Sequence, residues 1–167
     1  MNRFVRVPSM KYVSVKSVSI LLSLLLLLFV QSASAADDSA PEITAGVPFF
    51  YYTDLPEAVD WYKNKLGLEA LVEDDWVVII RITDSSYLGL VNASGGSLVP
   101  TDNKGALLSI ETPELEGWWD RLKDVEGINM IHGIEVGGGG MIEEFRMTDP
   151  GGYIVEFYRW LPEHSPY

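Results

Sequence analysis

The chain contains two related halves, and this internal repeat restricts the possible folds more than any other feature of the sequence. A shift of 60 residues aligns residues 55–68 with residues 115–128, where leucine, aspartate, lysine and glycine recur at matching positions. A shift of 65 residues aligns RITD, at 81–84, with RMTD, at 146–149. Two nearby offsets separated by a loop insertion indicate a duplicated unit. One unit alone would leave an apolar sheet face uncovered, so the halves must form one core or pair across a dimer.

The pattern within each half predicts the order β, α, β, β, β. The first helix is expected to begin at Thr53 or Asp54, whose side chains can cap it, and to end at Gly67. Aromatic and β-branched runs predict the strands. In the first half these runs cover residues 47–52, 68–72, 77–83 and 87–91.

These elements predict an α+β domain over residues 44–160, made of repeat units 44–93 and 105–160. We expect two tandem βαβββ units. The Pro-containing tail, residues 161–167, is expected to be mobile.

The N-terminus is typical of a secretory signal peptide. Four basic residues precede an apolar run at 18–30, which is followed by the small-residue pattern ASA at 33–35. An uncleaved membrane anchor is the alternative, but this run is shorter than the roughly 20 residues that a spanning helix needs. We expect residues 1–35 to be removed, residues 36–43 to be a spacer, and the mature protein to be periplasmic or secreted.

The composition excludes several classes of partner. Removal of the leader takes four of the 12 basic residues and none of the 24 acidic ones, so the formal net charge changes from -12 to -16. Such an acidic surface repels phosphate backbones and anionic lipids. Nucleic acid and, after leader cleavage, membranes are therefore not expected partners. The chain has no cysteine, so core packing alone must stabilise the exported domain.

Three further features of the second half are better explained by structure than by ligand binding. Trp118 and Trp119, in the second helix, are predicted to pack in and around the core rather than against a ligand. His132 and Glu135 could form a metal pair, but they precede a glycine run in a loop-like segment, so exposed positions are expected. That run, at 137–140, lacks the lysine and hydroxyl residue of a phosphate-binding loop. We interpret it as a flexible loop.

The repeat and two motifs carry a resemblance to a known family. The segment DLPEAVDWYKNKLGL, at 54–68, and the ending TDPGGYIVEF, at 148–157, are similar to motifs of the vicinal oxygen chelate superfamily. This superfamily includes the lactoylglutathione lyases (glyoxalases), bleomycin-resistance proteins, fosfomycin-resistance enzymes and extradiol dioxygenases. The resemblance covers residues 44–160. It implies that the two tandem βαβββ units form a curved mixed-sheet cup with the helices outside, whereas the chemistry of the family is diverse.

The resemblance also implies where metal ligands would lie. In metal-binding members, each unit supplies one ligand from its first strand and one from its last strand. In this chain the corresponding positions are, in order, Val47, Gly89 or Leu90, Leu107 and Glu156. Only Glu156 can bind a cation, and divalent metals in such sites need three or four protein ligands. We therefore predict no metal site and no cofactor, with a divalent metal as the less favoured alternative.

Two groups of strand residues are candidates for ligand binding. Ser109 and Glu111 share a strand face by the two-residue period, and with Glu156 they could form a polar cluster in one half of the cup. Phe49 and Tyr51 share a face of the opening strand. Aromatic walls with a few polar groups are typical of small-molecule pockets, although the same rings could simply fill the core. The predicted ligand-binding residues are Phe49, Tyr51, Trp76, Tyr87, Ser109, Glu111 and Glu156.

Glu156 lies among strand-forming residues, where an ionised group must be solvated or paired. It is the candidate catalytic residue, either as a buried base with a raised pKa or as an anchor for a cationic or hydroxyl-bearing ligand. Alternatively, Glu156 pairs with Arg146 or Arg159 in a structural salt bridge.

The sequence favours an exported protein, similar to glyoxalases and bleomycin-resistance proteins, that binds a small organic molecule in an aromatic cup without a metal. One alternative is a metal-dependent lyase or isomerase of the glyoxalase type, or a dioxygenase. Another is a protein-interaction module whose cup is filled. The sequence does not decide whether the chain is an enzyme; if it is one, the resemblance favours a glyoxalase-type lyase. A homodimer is expected, because members of the family often complete their cups in that way.

Overall fold

Each half of the chain folds into a four-stranded sheet and one helix, in the order that the repeat predicts. The computed structural model describes residue 40 and residues 42–167, so the predicted signal peptide and most of the spacer lie outside the described residues. The elements of the first half are β1 (Phe49–Tyr52), α1 (Leu55–Asp60), β2 (Glu69–Glu73), β3 (Val77–Arg81) and β4 (Tyr87–Asn92). Those of the second half are β5 (Leu107–Glu111), α2 (Leu115–Leu122), β6 (Asn129–Gly137), β7 (Ile142–Thr148) and β8 (Ile154–Trp160).

The two sheets have the same strand order. The first runs β1-β4-β3-β2 and the second runs β5-β8-β7-β6. In each sheet the first strand is parallel to the last, and the other neighbours are antiparallel. The register places Phe49 beside Gly89 in the first sheet and Ser109 beside Glu156 in the second. The predicted α+β fold of two tandem βαβββ units is confirmed.

Local sequence signals determine where the helical segment that starts with α1 begins and ends. The Asp54 carboxylate accepts a hydrogen bond from the Glu57 N–H at 3.0 Å, which satisfies one of the free donors of the first turn. After Asp60 the helix widens into a π-helical turn, Trp61–Lys65. Gly67 then takes a φ of 76° and ends the helix, because a glycine adopts this left-handed conformation without steric cost.

Alternate strand residues face the helices and pack into a single core. Burial of each large apolar side chain contributes about 1.5–3 kcal/mol. The intervening residues form the opposite surface of each sheet, since side chains alternate along a strand. We call one surface the first open face, with Phe49, Tyr51, Ile79, Arg81, Tyr87 and Gly89. We call the other the second open face, with Leu107, Ser109, Glu111, Glu144, Arg146, Glu156 and Tyr158.

A buried carboxylate connects the two halves. Asp149 Oδ2 accepts hydrogen bonds from the hydroxyl groups of Tyr52, at 2.6 Å, and Tyr62, at 3.0 Å, both of which belong to the first half. Its Oδ1 accepts the Tyr153 N–H at 2.8 Å. The Tyr153 ring in turn stacks on Phe50 with a centroid distance of 4.0 Å. We call this set of residues the Asp149 clasp.

The structure corrects one expectation in the second half. His132 and Glu135 do not lie in a loop; they belong to β6, the longest strand, which pairs with β7 despite register shifts on both sides of His132. The glycine run is the tight turn between these two strands, closed by the Gly140 N–H bonded to the Gly137 carbonyl at 2.9 Å. Residues 138–140 all have positive φ, so glycine serves the turn geometry.

The tryptophan pair of α2 packs against the second sheet, as predicted. Trp118 stacks on Phe157 with a centroid distance of 4.8 Å, and Trp119 contacts Phe145 edge-on at 5.5 Å. A short 3-10 helix, Pro162–His164, lies in the C-terminal tail. Within the part of the chain that the structure describes, no helix has the length and apolarity needed to cross a membrane.

Candidate ligand-binding site

Glu156 lies in β8 at the centre of the second open face and is 5 % exposed. The strand register places Ser109 on one side of it and Arg146 on the other. The Ser109 hydroxyl donates to Oε1 at 2.5 Å. The Arg146 guanidinium donates to Oε2 through Nε at 2.8 Å and lies 2.6 Å away through Nη2. Both carboxylate oxygens of Glu156 are therefore engaged by neighbouring strands.

A second buried carboxyl group shares the same arginine. Glu144, two residues before Arg146 on β7, is 3 % exposed and lies 2.9 Å from Arg146 Nη2 through its Oε2. Its other oxygen occupies the space above Gly137, where a Cβ would clash with it. The absence of a side chain at residue 137 is therefore what admits the Glu144 carboxyl group to this position.

The pKa values of Glu156 and Glu144 are shifted in opposite directions from the usual value of a glutamate. Burial by itself would raise the pKa of Glu156. Hydrogen bonds from Glu144, Ser109 and Arg146 outweigh this effect and lower that pKa below 4.5. Burial, followed by the hydrogen bond to Glu156 and its charge, raises the pKa of Glu144. As the pH falls, the pair therefore takes up its first proton on Glu144, and Glu156 remains the ionised partner of Arg146.

Polar groups that are more exposed than Glu144 and Glu156 surround this pair. The Tyr158 hydroxyl donates to Glu111 Oε2 at 3.2 Å. His132 lies opposite Arg146 in the β6–β7 ladder, and its Nδ1 is 3.5 Å from Glu135 Oε1. The second open face is thus a polar, mainly acidic surface with one arginine near its centre.

The first open face is aromatic. The Phe49 ring lies directly over Gly89, where any Cβ would clash with it, and Phe49 is 46 % exposed. Tyr51 follows on the same face of β1 and contacts Gly96 of the connection between the halves. Tyr87 stands on β4 and is half-buried. The rings of this face remain partly accessible and do not only fill the core.

Comparison with known proteins identifies the family. Residues 44–157 match the sequence model of the glyoxalase/bleomycin resistance protein/dioxygenase superfamily. The chain belongs to this superfamily. The match covers both repeat units and confirms the predicted vicinal oxygen chelate relationship. No curated protein has a significant sequence match to the chain.

Solved structures of superfamily members show the same fold. A glyoxalase/bleomycin resistance protein/dioxygenase from Nocardioides has a TM-score of 0.60 and 19% identity, covering 86% of this chain and 97% of that one. A protein of the same description from Alicyclobacillus acidocaldarius has a TM-score of 0.58 and 18% identity, covering 74% and 96%. A lactoylglutathione lyase from Agrobacterium tumefaciens has a TM-score of 0.55 and 19% identity, covering 71% and 95%. At these identities the similarity establishes the fold alone.

The residues at the family's ligand positions do not fit a divalent metal. The register pairs Gly89 with β1 as it pairs Glu156 with β5, so Gly89 rather than Leu90 is the counterpart of Glu156. Val47 and Leu107 offer hydrocarbon only. The Arg146 guanidinium, 2.6 Å from Glu156, already occupies the space beside the remaining carboxylate. Among the described residues, no three histidine, cysteine or carboxylate side chains form a metal-binding group.

The predicted site residues fall into two groups. Ser109 and Glu156 are hydrogen-bonded, and Glu111 shares their face, whereas Phe49, Tyr51 and Tyr87 share the first open face. Trp76 lies apart, in the turn between β2 and β3, 50 % exposed and against Gly95. Sequence reasoning did not include Glu144 and Tyr158 in the site. The two-residue period could have found them, since each stands two positions from a residue of the same face.

Proposed function

We propose that the chain binds a small organic molecule on its open faces and that it does so without a resident metal. One observation carries this proposal: the only family ligand position with a donor side chain, Glu156, is neutralised by Arg146 at 2.6 Å. A cation at Glu156 would have to displace a hydrogen-bonded guanidinium, which a single carboxylate does not favour. The metal-dependent glyoxalase-type activity is therefore the less supported alternative.

The site supports an anchoring role for the hydrogen-bonded pair of Ser109 and Glu156, with Ser109 as its exposed member, more than a role for Glu156 as a base. A carboxylate whose pKa is lowered is a weak proton acceptor at neutral pH. The exposed Ser109 hydroxyl and the acidic surroundings suit a hydroxyl or ammonium group of the ligand. The partly exposed rings of Phe49 and Tyr51 suit its apolar body, because aromatic surfaces bind hydrocarbon and, through their faces, cations.

We propose that two copies of the chain complete the cup. Phe49 is 46 % exposed and Leu107 is 44 % exposed, so each open face leaves apolar area uncovered, and an enclosed pocket needs a second wall. Leu107→Lys is expected to shift the dimer to a monomer, whereas Ile43→Lys, outside both faces, is not. Light scattering measures the mass of each form. A monomeric wild-type chain contradicts this proposal.

Export to the periplasm or the medium is proposed from the leader pattern of residues 1–35. The N-terminal sequence and mass of protein recovered from the producing cells test it, with cleavage after Ala35 as the expected result. Recovery of the uncleaved chain from the cytoplasm contradicts export. The strongly acidic composition further supports a small-molecule partner over nucleic acid.

A ligand screen on the full chain tests the central proposal. Amines, polyols and aromatic compounds are added while the melting temperature is measured, since a ligand at 100 times its Kd stabilises the native state by about 2.7 kcal/mol. Glu156→Gln is expected to weaken the response to a bound amine or polyol. Glu116→Gln, which removes an exposed carboxylate on α2 that pairs with Arg159, is the matched control.

Two results would oppose this function. Elemental analysis that finds one tightly held transition metal per chain would favour the metal-dependent alternative. A screen without any stabilising compound, in a dimer whose faces are fully covered, would favour the protein-interaction alternative.

A further inference from the structure

A cavity of about 180 Å³ lies between β1, Tyr153 and the connection of the repeat units, residues 93–106. β1 is an edge strand of the first sheet, and its Tyr51 N–H donates to the Tyr153 hydroxyl at 3.1 Å. The connection contacts the Tyr51 ring at Gly96, where a Cβ would clash with it. Further along, its Lys104 lies over the Tyr153 ring. The cavity is thus bordered by both halves and by the segment that joins them.

The walls of this cavity are mainly apolar. β1 contributes the rings of Phe49, which is 46 % exposed, and of Tyr51, which is partly buried. The connection contributes Leu98, Val99 and Pro100. Leu98 is 60 % exposed and Val99 is 84 % exposed. The cavity therefore has apolar area in contact with water, and a ligand with an apolar body would gain free energy by covering it.

Lys104 brings a positive charge to this cavity. Its Nζ lies 4.7 Å from the centroid of the Tyr153 ring, and that ring is held in place by stacking on Phe50 and by the Tyr51 N–H. The face of a ring attracts an ammonium group but does not neutralise its charge. The Lys104 side chain lines the cavity and is partly exposed, so a ligand can reach it.

The Lys104 ammonium group has no carboxylate partner among the described residues. Eight lysines and arginines lie in residues 42–167, and five of them pair with a carboxylate: Lys63, Arg81, Lys123, Arg146 and Arg159. Of the others, Lys65 donates to the Glu126 carbonyl and Arg121 lies over the Trp118 ring. The chain has twice as many acidic as basic residues, yet none of these acids neutralises Lys104. An unpaired cation in a cavity with apolar walls favours an anionic ligand.

We propose that this cavity binds a small monocarboxylate, with its carboxylate on Lys104 and its apolar body against Phe49 and Val99. The contact gives the ammonium group a hydrogen-bonded counter-charge. A single ring with one substituent matches the size of the cavity, since a cavity of about 150 Å³ admits benzene. The inference rests on the proposed function in that the Phe49 ring serves both, but this anion site includes neither Ser109 nor Glu156.

Titration of benzoate into the nitrogen-15-labelled full chain, followed by NMR, tests the proposal. A salt concentration of about 0.15 M, where the Debye length is about 8 Å, screens the more distant acidic groups. Benzoate is expected to bind with a Kd on the order of 1 mM, a value within the range for a ligand of this size. The amide signals of Gly105 and Ala106, which line the cavity, are expected to shift. Neutral benzyl alcohol should bind about tenfold more weakly, because the charge-assisted hydrogen bond is lost.

Variants separate the charge from the apolar wall. Lys104→Gln is expected to weaken benzoate binding about tenfold, whereas Lys104→Arg keeps the charge and should retain most of the affinity. Val99→Ser should weaken benzoate and benzyl alcohol by the same factor, about threefold, because only apolar contact is lost. Arg121→Gln is the matched control: it removes another cation that lies over an aromatic ring, that of Trp118, and should leave benzoate binding unchanged. Melting temperatures show that each variant is folded.

Several outcomes would overturn the proposal: no benzoate binding to the wild type, unchanged binding in Lys104→Gln, equal affinity for benzyl alcohol, or a loss of affinity in Arg121→Gln. Its failure is distinguishable from that of the proposed function. Glu156→Gln is expected to retain benzoate binding, and a ligand found by the general screen that depends on Glu156 would support the proposed function even if benzoate does not bind.

Discussion

Arg146 determines the charge state of the second open face. Its guanidinium contacts both buried carboxyl groups within 2.9 Å, and the two compete for it. The group that also accepts the Ser109 hydroxyl, Glu156, keeps its charge, whereas Glu144 is the one whose pKa is raised. The pKa values of two neighbouring carboxyl groups separate in this way because ionising both would place two negative charges close together.

This difference predicts unequal effects of removing the two acids. At pH 7, Glu156→Gln is expected to lower the free energy of unfolding by about 1–3 kcal/mol, because a charge-assisted partner of Arg146 is lost. Glu144→Gln is expected to cost less, since the raised pKa of Glu144 means that burial and the neighbouring Glu156 already disfavour its ionised form. Urea unfolding of both variants measures the difference, and a larger loss for Glu144→Gln contradicts the assignment.

The pH dependence follows from the direction of each shift. The lowered pKa of Glu156 gives a contribution to stability that is present above its usual value of 4.5 and is lost as the pH falls through the folded-state value. The raised pKa of Glu144 acts in the opposite sense, so its contribution declines as the pH rises above 4.5. The difference in the free energy of unfolding between Glu156→Gln and Glu144→Gln should therefore become smaller as the pH is lowered. Urea unfolding at several pH values measures it.

At the scale of elements, the repeat units share a topology but differ in how single residues support it. In the first unit, the Asp54 side chain caps α1. In the second, Glu114 holds the same position before α2 and makes no side-chain cap. Gly89 differs from Glu156 in a similar way, because the first unit places the Phe49 ring where the second unit has a carboxylate.

The caps provide a matched test between equivalent positions. Asp54→Ala is expected to cost about 1 kcal/mol, because the Glu57 N–H loses its acceptor. Glu114→Ala should change stability by less than about 0.5 kcal/mol, as is usual for an exposed residue without such a bond. Thermal or urea denaturation of both variants measures this difference, and equal losses would show that the cap of α1 is unimportant.

The contact between Gly89 and Phe49 is testable in the same way. Gly89→Ala is expected to destabilise the chain by about 1–3 kcal/mol, because the new Cβ clashes with the ring. Gly105→Ala, where nothing lies within 4 Å, is the control. Adding Phe49→Ala to Gly89→Ala should relieve the clash. A double variant no more stable than Gly89→Ala would contradict this account of the packing.

At the scale of the whole molecule, the Asp149 clasp joins the halves. Its carboxylate is 3 % exposed and accepts three hydrogen bonds, two of them from tyrosines of the first half. Burial raises its pKa although those bonds lower it. The equivalent residue of the first unit, Asp84, is exposed and makes no comparable connection. Of the two matching aspartates, Asp149 therefore links the halves and Asp84 does not.

Replacement of the clasp carboxylate should weaken the whole domain. Asp149→Asn exchanges an acceptor for a donor near Tyr52 and Tyr62, so a loss of about 3 kcal/mol is expected from buried groups left unpaired. Asp84→Asn, at the matching position of the repeat, should have almost no effect. Chemical denaturation followed by tryptophan fluorescence measures both. Equal stability of Asp149→Asn and the wild type would show that the clasp contributes nothing.

The sequence by itself determined the duplicated α+β architecture, the cap of α1 at Asp54 and the end of the helical segment at Gly67. These features depend on periodicity, capping and glycine conformation, which act over a few residues and repeat in both halves. The same local reasoning misplaced His132 in a loop, because the pairing of β6 with β7 outweighs its weak strand propensity.

Only the tertiary structure decided what neutralises Glu156, that Glu144 shares its arginine, and that Asp149 joins the halves. Each of these depends on strand register or on contacts between residues far apart in the chain. Burial then determines how much each of these interactions contributes to stability, because an unpaired charge costs little free energy in water and much among packed side chains. Sequence spacing alone contains neither the register nor the burial.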